Sequence, residues 1–115
     1  MKTLDQERAA FAWSKVQGKT KEYSNIAKGA PALIMGNGLM QALAFYQDKK
    51  GAASQLGDDL RAWICRQYAD QFKGKEQFVA FMQTLTAVDS DIYIQVTEES
   101  LEFLRWLRQF AAAVL

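Results

Sequence analysis

The sequence predicts an all-α fold, a single compact bundle of five to seven helices with a long C-terminal helix. Apolar residues recur at helical spacing along most of the chain, as in Phe78, Phe81, Met82 and Leu85. Residues that start or stop helices separate these stripes. The one β-branched stretch, residues 92–97, has no second strand to pair with, and an isolated strand leaves its backbone groups unpaired.

The first predicted helix begins at Thr3, whose hydroxyl can cap it, with Gln6 three residues on as a capping-box partner. It ends near Gln17, because Gly18 suits the left-handed residue that follows a helix. Its side chains form two nearly opposite stripes. One stripe is apolar and consists of Ala9, Ala12, Trp13 and Val16. The other is mixed and consists of Leu4, Arg8, Phe11 and Lys15. We expect the fold to bury the first stripe.

Three more helix starts are predicted before residue 50. Thr20 is a candidate cap for a second helix, which Gly29 would stop. Pro31 fits the first turn of a short helix, where its missing N–H costs nothing. Asn37 can cap a further helix that runs from Gly38 to about Gln47.

The second half of the chain begins with a predicted solvated connector at residues 48–51. Ser54 can then cap a helix that reaches about Ala69, and the apolar stripe that begins at Phe78 lies on a short helix after Gly74. These segments complete the predicted bundle up to the C-terminal helix.

The C-terminal segment permits two interpretations. Local propensity favours a strand for residues 92–97, since they are rich in β-branched side chains. Alternatively, Asp89 or Ser90 caps one long helix that continues to the C-terminus. We predict the helix, because no other segment offers a strand partner.

Composition sets broad limits on the kind of protein. The 115 residues suit one domain, 1–115, and 23% of them are charged, an ordinary globular value. No apolar run approaches the roughly 20 residues of a membrane span, and residues 1–7 lack the apolar segment of a signal peptide. The single Cys65 cannot form an internal disulfide. We therefore expect a cytoplasmic protein without membrane contact.

The residues needed for common catalytic sites are missing. The chain contains no histidine, which removes most metal sites and nucleophile–base pairs. Asp89 and Asp91 could bind a metal, but they stand at a helix start, where acidic residues are favoured. Glu98, Glu99 and Glu102 are better explained as a solvated helix face. We expect no catalytic residues, no metal and no cofactor.

Charge is distributed unevenly along the sequence. Residues 1–50 carry eight Lys/Arg against four Asp/Glu, whereas residues 51–115 carry six against nine. Four lysines fall within fourteen residues that contain a single acid: Lys15, Lys19, Lys21 and Lys28. Such a cluster can contact a nucleic-acid backbone, or it can be a solvated lysine-rich loop.

Arg8, Phe11 and Lys15 place an aromatic ring between two cations on one helix face. This arrangement suits sequence-independent RNA binding, and the predicted RNA-contact set is Arg8, Lys15, Lys19, Lys21 and Lys28. Phe11 can equally be a protein–protein anchor, and we predict that Leu4 and Phe11 contact another subunit. The three tryptophans are expected in the core, with nucleobase stacking as the alternative.

An ordered set of short motifs spans most of the chain. Its most informative part is the segment Asn37–Phe45, NGLMQALAF. The others, in order, are Arg8-Ala9-x-x-Ala12-x-x-x-Val16, Tyr23, Leu60-x-x-Trp63, Asp89-x-x-x-Tyr93-x-x-x-Thr97-x-Glu99-x-Leu101 and Leu104-x-Trp106-Leu107-Arg108-x-Phe110-Ala111. From about residue 8 to residue 112, the chain resembles the small helical subunit of the type III-B CRISPR RNA-silencing complex, the Cmr complex.

The resemblance implies a non-catalytic subunit of an antiviral effector complex. It implies several copies aligned beside the backbone subunits, which carry the crRNA, with the target RNA held along the guide. Partners would be crRNA, target RNA, the backbone and large subunits, and further copies of the chain. Because such a protein accepts any guide, its contacts should go to phosphate and sugar. The alternative is a helical adaptor that binds only protein.

Overall fold

Seven helices and no strand make up the fold, within the predicted range of five to seven. The computed structural model describes residues 1–115. The helices are α1 (Leu4–Val16), α2 (Lys21–Asn37), α3 (Leu39–Lys49), α4 (Gly51–Gln67), α5 (Ala69–Phe72), α6 (Phe78–Ala87) and α7 (Ser90–Val114). None of them combines the length and the apolar character that crossing a bilayer requires.

The long C-terminal helix α7 is the element around which the bundle is built. It packs against α1, α2 and α4, and α3 packs against α4. Residues 92–97 belong to α7, which confirms the helical prediction, and Val96 is fully buried against the neighbouring helices. Burial in the bundle therefore overrides the local β preference of this segment. The radius of gyration, 13.2 Å, matches the roughly 13 Å expected of a compact chain of this length.

The ends of α1 agree with the sequence. The backbone N–H of Gln6 donates to Thr3 Oγ1 at 3.1 Å, and the backbone N–H of Thr3 donates to Gln6 Oε1 at 2.8 Å. This reciprocal pair is the predicted capping box. Gly18 follows the helix with φ 75°, the left-handed conformation that glycine adopts without strain.

The predicted break between Gly29 and Pro31 is wrong. Helix α2 runs through both residues without interruption, although Pro31 has no N–H to donate. Two of its buried side chains flank this stretch, Ala27 at 0% and Ile34 at 2% exposure. The packing of α2 against α7 and α4 accounts for its continuity, because buried contacts outweigh one missing hydrogen bond.

The predicted cap at Asn37 is also wrong. Asn37 is the last residue of α2, and its side-chain amide donates back to the Leu33 carbonyl at 3.3 Å. The turn into α3 is made by Gly38, whose backbone has φ 87° and ψ 160°. A residue with a side chain would be strained there, so this corner requires glycine.

The connector between α3 and α4 is a single residue, shorter than the predicted segment 48–51. Lys50 joins the two helices with φ 62° and ψ −179°, a conformation that is otherwise almost confined to glycine. Ser54 does not cap α4. It lies inside the helix, and its hydroxyl donates to the Gly51 carbonyl at 3.0 Å.

The centre of the core is aromatic. Trp63 on α4 and Phe103 on α7 stack with ring centroids 5.3 Å apart, and both are fully buried. Phe72 and Phe81 form a second pair with centroids 4.8 Å apart, which attaches α5 to α6. Trp63 is thus a core residue, as expected from the sequence.

Replacing Lys50 with glycine should stabilise the protein, because glycine adopts this backbone conformation without the steric cost of a side chain. We expect the free energy of unfolding, measured by urea denaturation, to rise by about 1 kcal/mol. Lys49→Gly, in the last turn of α3, is the matched control and should lower it by roughly 0.5 kcal/mol. Destabilisation by Lys50→Gly would contradict the strain argument.

Candidate nucleic-acid interface

A buried carboxylate on α7 determines which basic residues remain available at the surface. Glu99 is 8% exposed and accepts hydrogen bonds from two other helices. Arg8 on α1 donates to both of its oxygens, from Nε to Oε2 at 2.7 Å and from Nη2 to Oε1 at 2.8 Å. Trp63 on α4 donates from Nε1 to Oε2 at 3.0 Å. This Glu99 network joins α1, α4 and α7.

Arg8 therefore lies inside the protein's own ion-pair network. Its Nη1 also donates to Asp5 Oδ1 at 2.9 Å. The hydrogen bonds to Glu99, and secondarily the bond to Asp5, raise the pKa of Arg8 above its usual value despite desolvation. With both acids in contact, the guanidinium charge is compensated within the chain. The predicted role of Arg8 in RNA binding stays a prediction, and its geometry favours a structural role.

Lys19 is held in a second buried network. Its Nζ lies 3.3 Å from Asp59 Oδ2 and donates to the Lys15 carbonyl at 2.8 Å. Tyr23 donates its hydroxyl to the same Asp59 oxygen at 2.7 Å. Burial, and next the charge of Asp59, raise the pKa of Tyr23 well above its usual value. Lys19 thus compensates a carboxylate between α2 and α4.

Lys15 keeps its charge available. Its Nζ lies 5.2 Å from the centroid of the Phe11 ring, and it forms no ion pair within the chain. Arg66 approaches the same ring, with Cζ 5.6 Å from its centroid, and is also without an ion pair. We call Phe11, Lys15 and Arg66 the Phe11 cluster. Sequence reasoning missed Arg66, although its position three residues after Trp63 on α4 places it close to the same face.

Lys21 and Lys28 form a second basic surface, the α2 lysine face. They are seven residues apart on one helix, so both point to the same side. Both are exposed, and neither forms an ion pair. Of the five predicted RNA contacts, Lys15, Lys21 and Lys28 are therefore free, whereas Arg8 and Lys19 are paired.

The two predicted interface residues occupy different environments. Leu4 is 41% exposed, as expected of a residue on an outer face. Phe11 is half-buried, and its ring packs against Trp63 and Phe103, with centroids 5.3 and 5.9 Å away. The prediction that Phe11 lies on an outer face is wrong, because α4 and α7 both reach this side of α1. Its subunit contact stays a prediction.

The expected burial of the apolar α1 stripe holds only in part. Ala12 and Val16 are fully buried, but Trp13 is 47% exposed and packs edge-on against Phe110 of α7, with centroids 5.2 Å apart. Trp106 lies next to Phe110 and donates its Nε1–H to Asp5 at 3.2 Å. These rings form an aromatic seam along the outside of the α1–α7 contact.

The acidic residues do not converge on a common point. No group of three or more Cys, Asp or Glu side chains is arranged to hold a metal ion. Asp89 precedes α7, and Asp91 lies in its first turn, where its carboxylate accepts from the Ile92 backbone N–H at 3.0 Å. Cys65 is buried, and burial is the main cause that raises its pKa to about 11.

Comparison with known proteins decides the family. The sequence profile described as "CRISPR-associated protein (Cas_Cmr5)" matches residues 4–114. This chain belongs to the Cmr5 family. The match confirms the resemblance to the small subunit of the Cmr complex that the ordered motifs indicate.

Two relatives of this Cmr5-family chain come from Thermus thermophilus. The protein described as "CRISPR system Cmr subunit Cmr5" is 30% identical over 121 residues, which cover 100% of this chain and 98% of the relative. A crystal structure of a CRISPR-associated Cmr5 family protein superposes with a TM-score of 0.78 and 29% identity, over 99% of each chain. The fold and the family thus agree along the whole length.

Removing the central carboxylate should strongly destabilise this Cmr5-family fold. Glu99→Ala leaves the half-buried Arg8 and the buried Trp63 N–H without their partner, so we expect a loss of about 3 kcal/mol in the free energy of unfolding. Glu98→Ala, at the exposed neighbouring position, should change it by less than about 0.5 kcal/mol. Equal effects of the two substitutions in urea denaturation would contradict the structural role of the network.

Proposed function

We propose that this protein is the non-catalytic small subunit of a CRISPR RNA-guided RNA-silencing complex in the cytoplasm. In this role, several copies line up along the guide and target RNA and hold it through its backbone, in antiviral defence. Membership of the Cmr5 family supports the place in the complex. The absence of histidine is consistent with a role without catalysis.

The observation that carries RNA contact is the set of free cations. Lys21 and Lys28 share one face of α2, and Lys15 and Arg66 share the Phe11 ring, all without an acidic partner. Unpaired cations release condensed counterions from phosphates when they bind, which favours association without reading base sequence.

The low net charge is compatible with this role. A formal net charge of +1 gives one copy few phosphate contacts and weak binding. Copies held in a row on neighbouring subunits add their contacts, because each further contact becomes intramolecular. Binding by the row can therefore be tight although binding by one copy is weak.

An adaptor that contacts only protein is the second candidate function. The exposed apolar side chains of Leu4 and Trp13, both on α1, favour it. Aromatic residues are enriched at protein interfaces, so α1 suits contact with a neighbouring subunit or another copy. The two functions are compatible if α1 contacts protein and α2 contacts RNA.

Charge reversal on α2 tests the RNA contact. Lys21→Glu with Lys28→Glu should lower the affinity of the assembled complex for target RNA and flatten its salt dependence by about 0.7–0.9 in log–log slope per lost contact. Sequence preference should not change. Lys73→Glu with Lys75→Glu, two exposed lysines between α5 and α6, is the matched control. Equal effects of the two pairs would indicate diffuse charge, and no effect of either would favour the pure adaptor.

Substitution of Leu4 tests the protein contact. Leu4→Ser should leave the helical circular dichroism signal and the denaturation midpoint unchanged, because Leu4 is exposed, but weaken incorporation into the complex in a pull-down. Val79→Ser on α6, which is 65% exposed, is the matched apolar control and should incorporate normally. Normal incorporation of Leu4→Ser would remove Leu4 from the interface.

A further inference from the structure

A groove between α2 and the α3–α4 corner carries chemistry that the proposed backbone contacts do not use. Its volume is about 280 Å³. It is lined by Glu22 and Ile26 of α2 and by Phe45, Tyr46, Lys49 and Lys50 of the corner. This volume lies just below the usual range for drug-sized ligands, so it suits a single ring system.

Phe45 supplies the groove with an accessible aromatic surface. The residue is 47% exposed, whereas the adjacent Tyr46 is buried at 4%. Lys49, one turn later on α3, places its Nζ 5.1 Å from the Phe45 ring centroid. An exposed aromatic ring with a cation held against it is the arrangement that single-stranded nucleic acids use for stacking and phosphate contact.

The charges of the groove are uncompensated. Lys49 and Lys50 form no ion pair within the chain. Glu22 is the only acid in the lining, so two cations face one carboxylate and the lining is net positive. A ligand that carries phosphates beside an aromatic ring complements both features.

Lys50 occupies a strained position in this lining. Its φ of 62° and ψ of −179° fall in a region used almost exclusively by glycine, yet a lysine stands here. Strain of this kind costs stability and is found mainly at functional sites. A lysine at this corner therefore sacrifices stability for a cation at the edge of the groove.

We propose that this groove binds one nucleotide of single-stranded RNA, with the base against Phe45 and the flanking phosphates on Lys49 and Lys50. The inference rests on the proposed RNA-binding function and adds a stacking site for unpaired nucleotides to it. Because every base has a π-face, such a site accepts any sequence. An acidic peptide would complement the lysines but would make little use of the exposed ring.

The test uses the full chain with Phe45→Ala and Phe45→Trp. Binding of oligouridylate and oligoadenylate, monitored by NMR titration at low salt, should weaken roughly tenfold in Phe45→Ala, because one stacked base is lost. Phe45→Trp should retain binding, and its fluorescence should be quenched by the bound base. Binding of an RNA duplex of equal length should change little. Unchanged oligonucleotide binding by Phe45→Ala would overturn the proposal.

Lys50→Gly separates a binding role from a structural one. It should weaken oligouridylate binding and lower the log–log salt slope by about 0.7, the value for one phosphate contact of a single strand, while it raises stability. A purely structural Lys50 would not combine a gain in stability with a loss of affinity. Undiminished binding by this variant would remove Lys50 from the site.

The outcomes also distinguish this proposal from the function on which it rests. If Lys21→Glu with Lys28→Glu lowers RNA binding and Phe45→Ala does not, the function stands and the groove proposal fails. If neither affects RNA binding, both fail. Poly-glutamate that binds the groove equally well with and without Phe45, and that oligouridylate cannot displace, would identify an acidic peptide as the occupant.

Discussion

The bidentate pair between Arg8 and Glu99 is the interaction on which the rest of the structure depends. It connects the first helix to the last across 91 residues of sequence, and Trp63 of α4 completes it. Beside it the rings of Phe11, Trp63 and Phe103 pack together. A buried carboxylate is stable only when its oxygens are satisfied, so the three helices must meet in one register. The network thus contributes specificity to a core whose apolar contacts alone are less directional.

Buried carboxylates also sort the basic residues into two kinds. Glu99 takes Arg8 and Asp59 takes Lys19, so these cations stabilise the fold. Arg61 is likewise buried and bound to Asp58 and Gln47. The cations left over lie on α2, around Phe11 and at the α3–α4 corner. The surface available to an anionic partner is therefore set by which carboxylates the core buries.

Sequence reasoning succeeded where the determining interactions are local. The capping box joins Thr3 to Gln6, and Gly18 needs only its own backbone freedom, so both could be predicted. It failed where distant packing decides, since α2 continues through Pro31 because α4 and α7 cover it. The same limit applies to the candidate site. Nothing near Arg8 in sequence indicates a carboxylate 91 residues away, so a paired arginine and a free lysine look alike.

Cation–π contacts give the free lysines a property that ion pairs would remove. Lys15 rests on Phe11 and Lys49 on Phe45, at 5.2 and 5.1 Å from the ring centroids. An aromatic ring holds an ammonium group in place without neutralising it, since the ring carries no net charge. A lysine held in this way has less side-chain entropy to lose when it binds a phosphate, a cost of about 0.5–1.5 kcal/mol for a fully mobile side chain. These two lysines are therefore charged, accessible and pre-organised, whereas Arg8 and Lys19 are ordered but compensated. That difference, and not the number of basic residues, separates a binding surface from the framework that supports it.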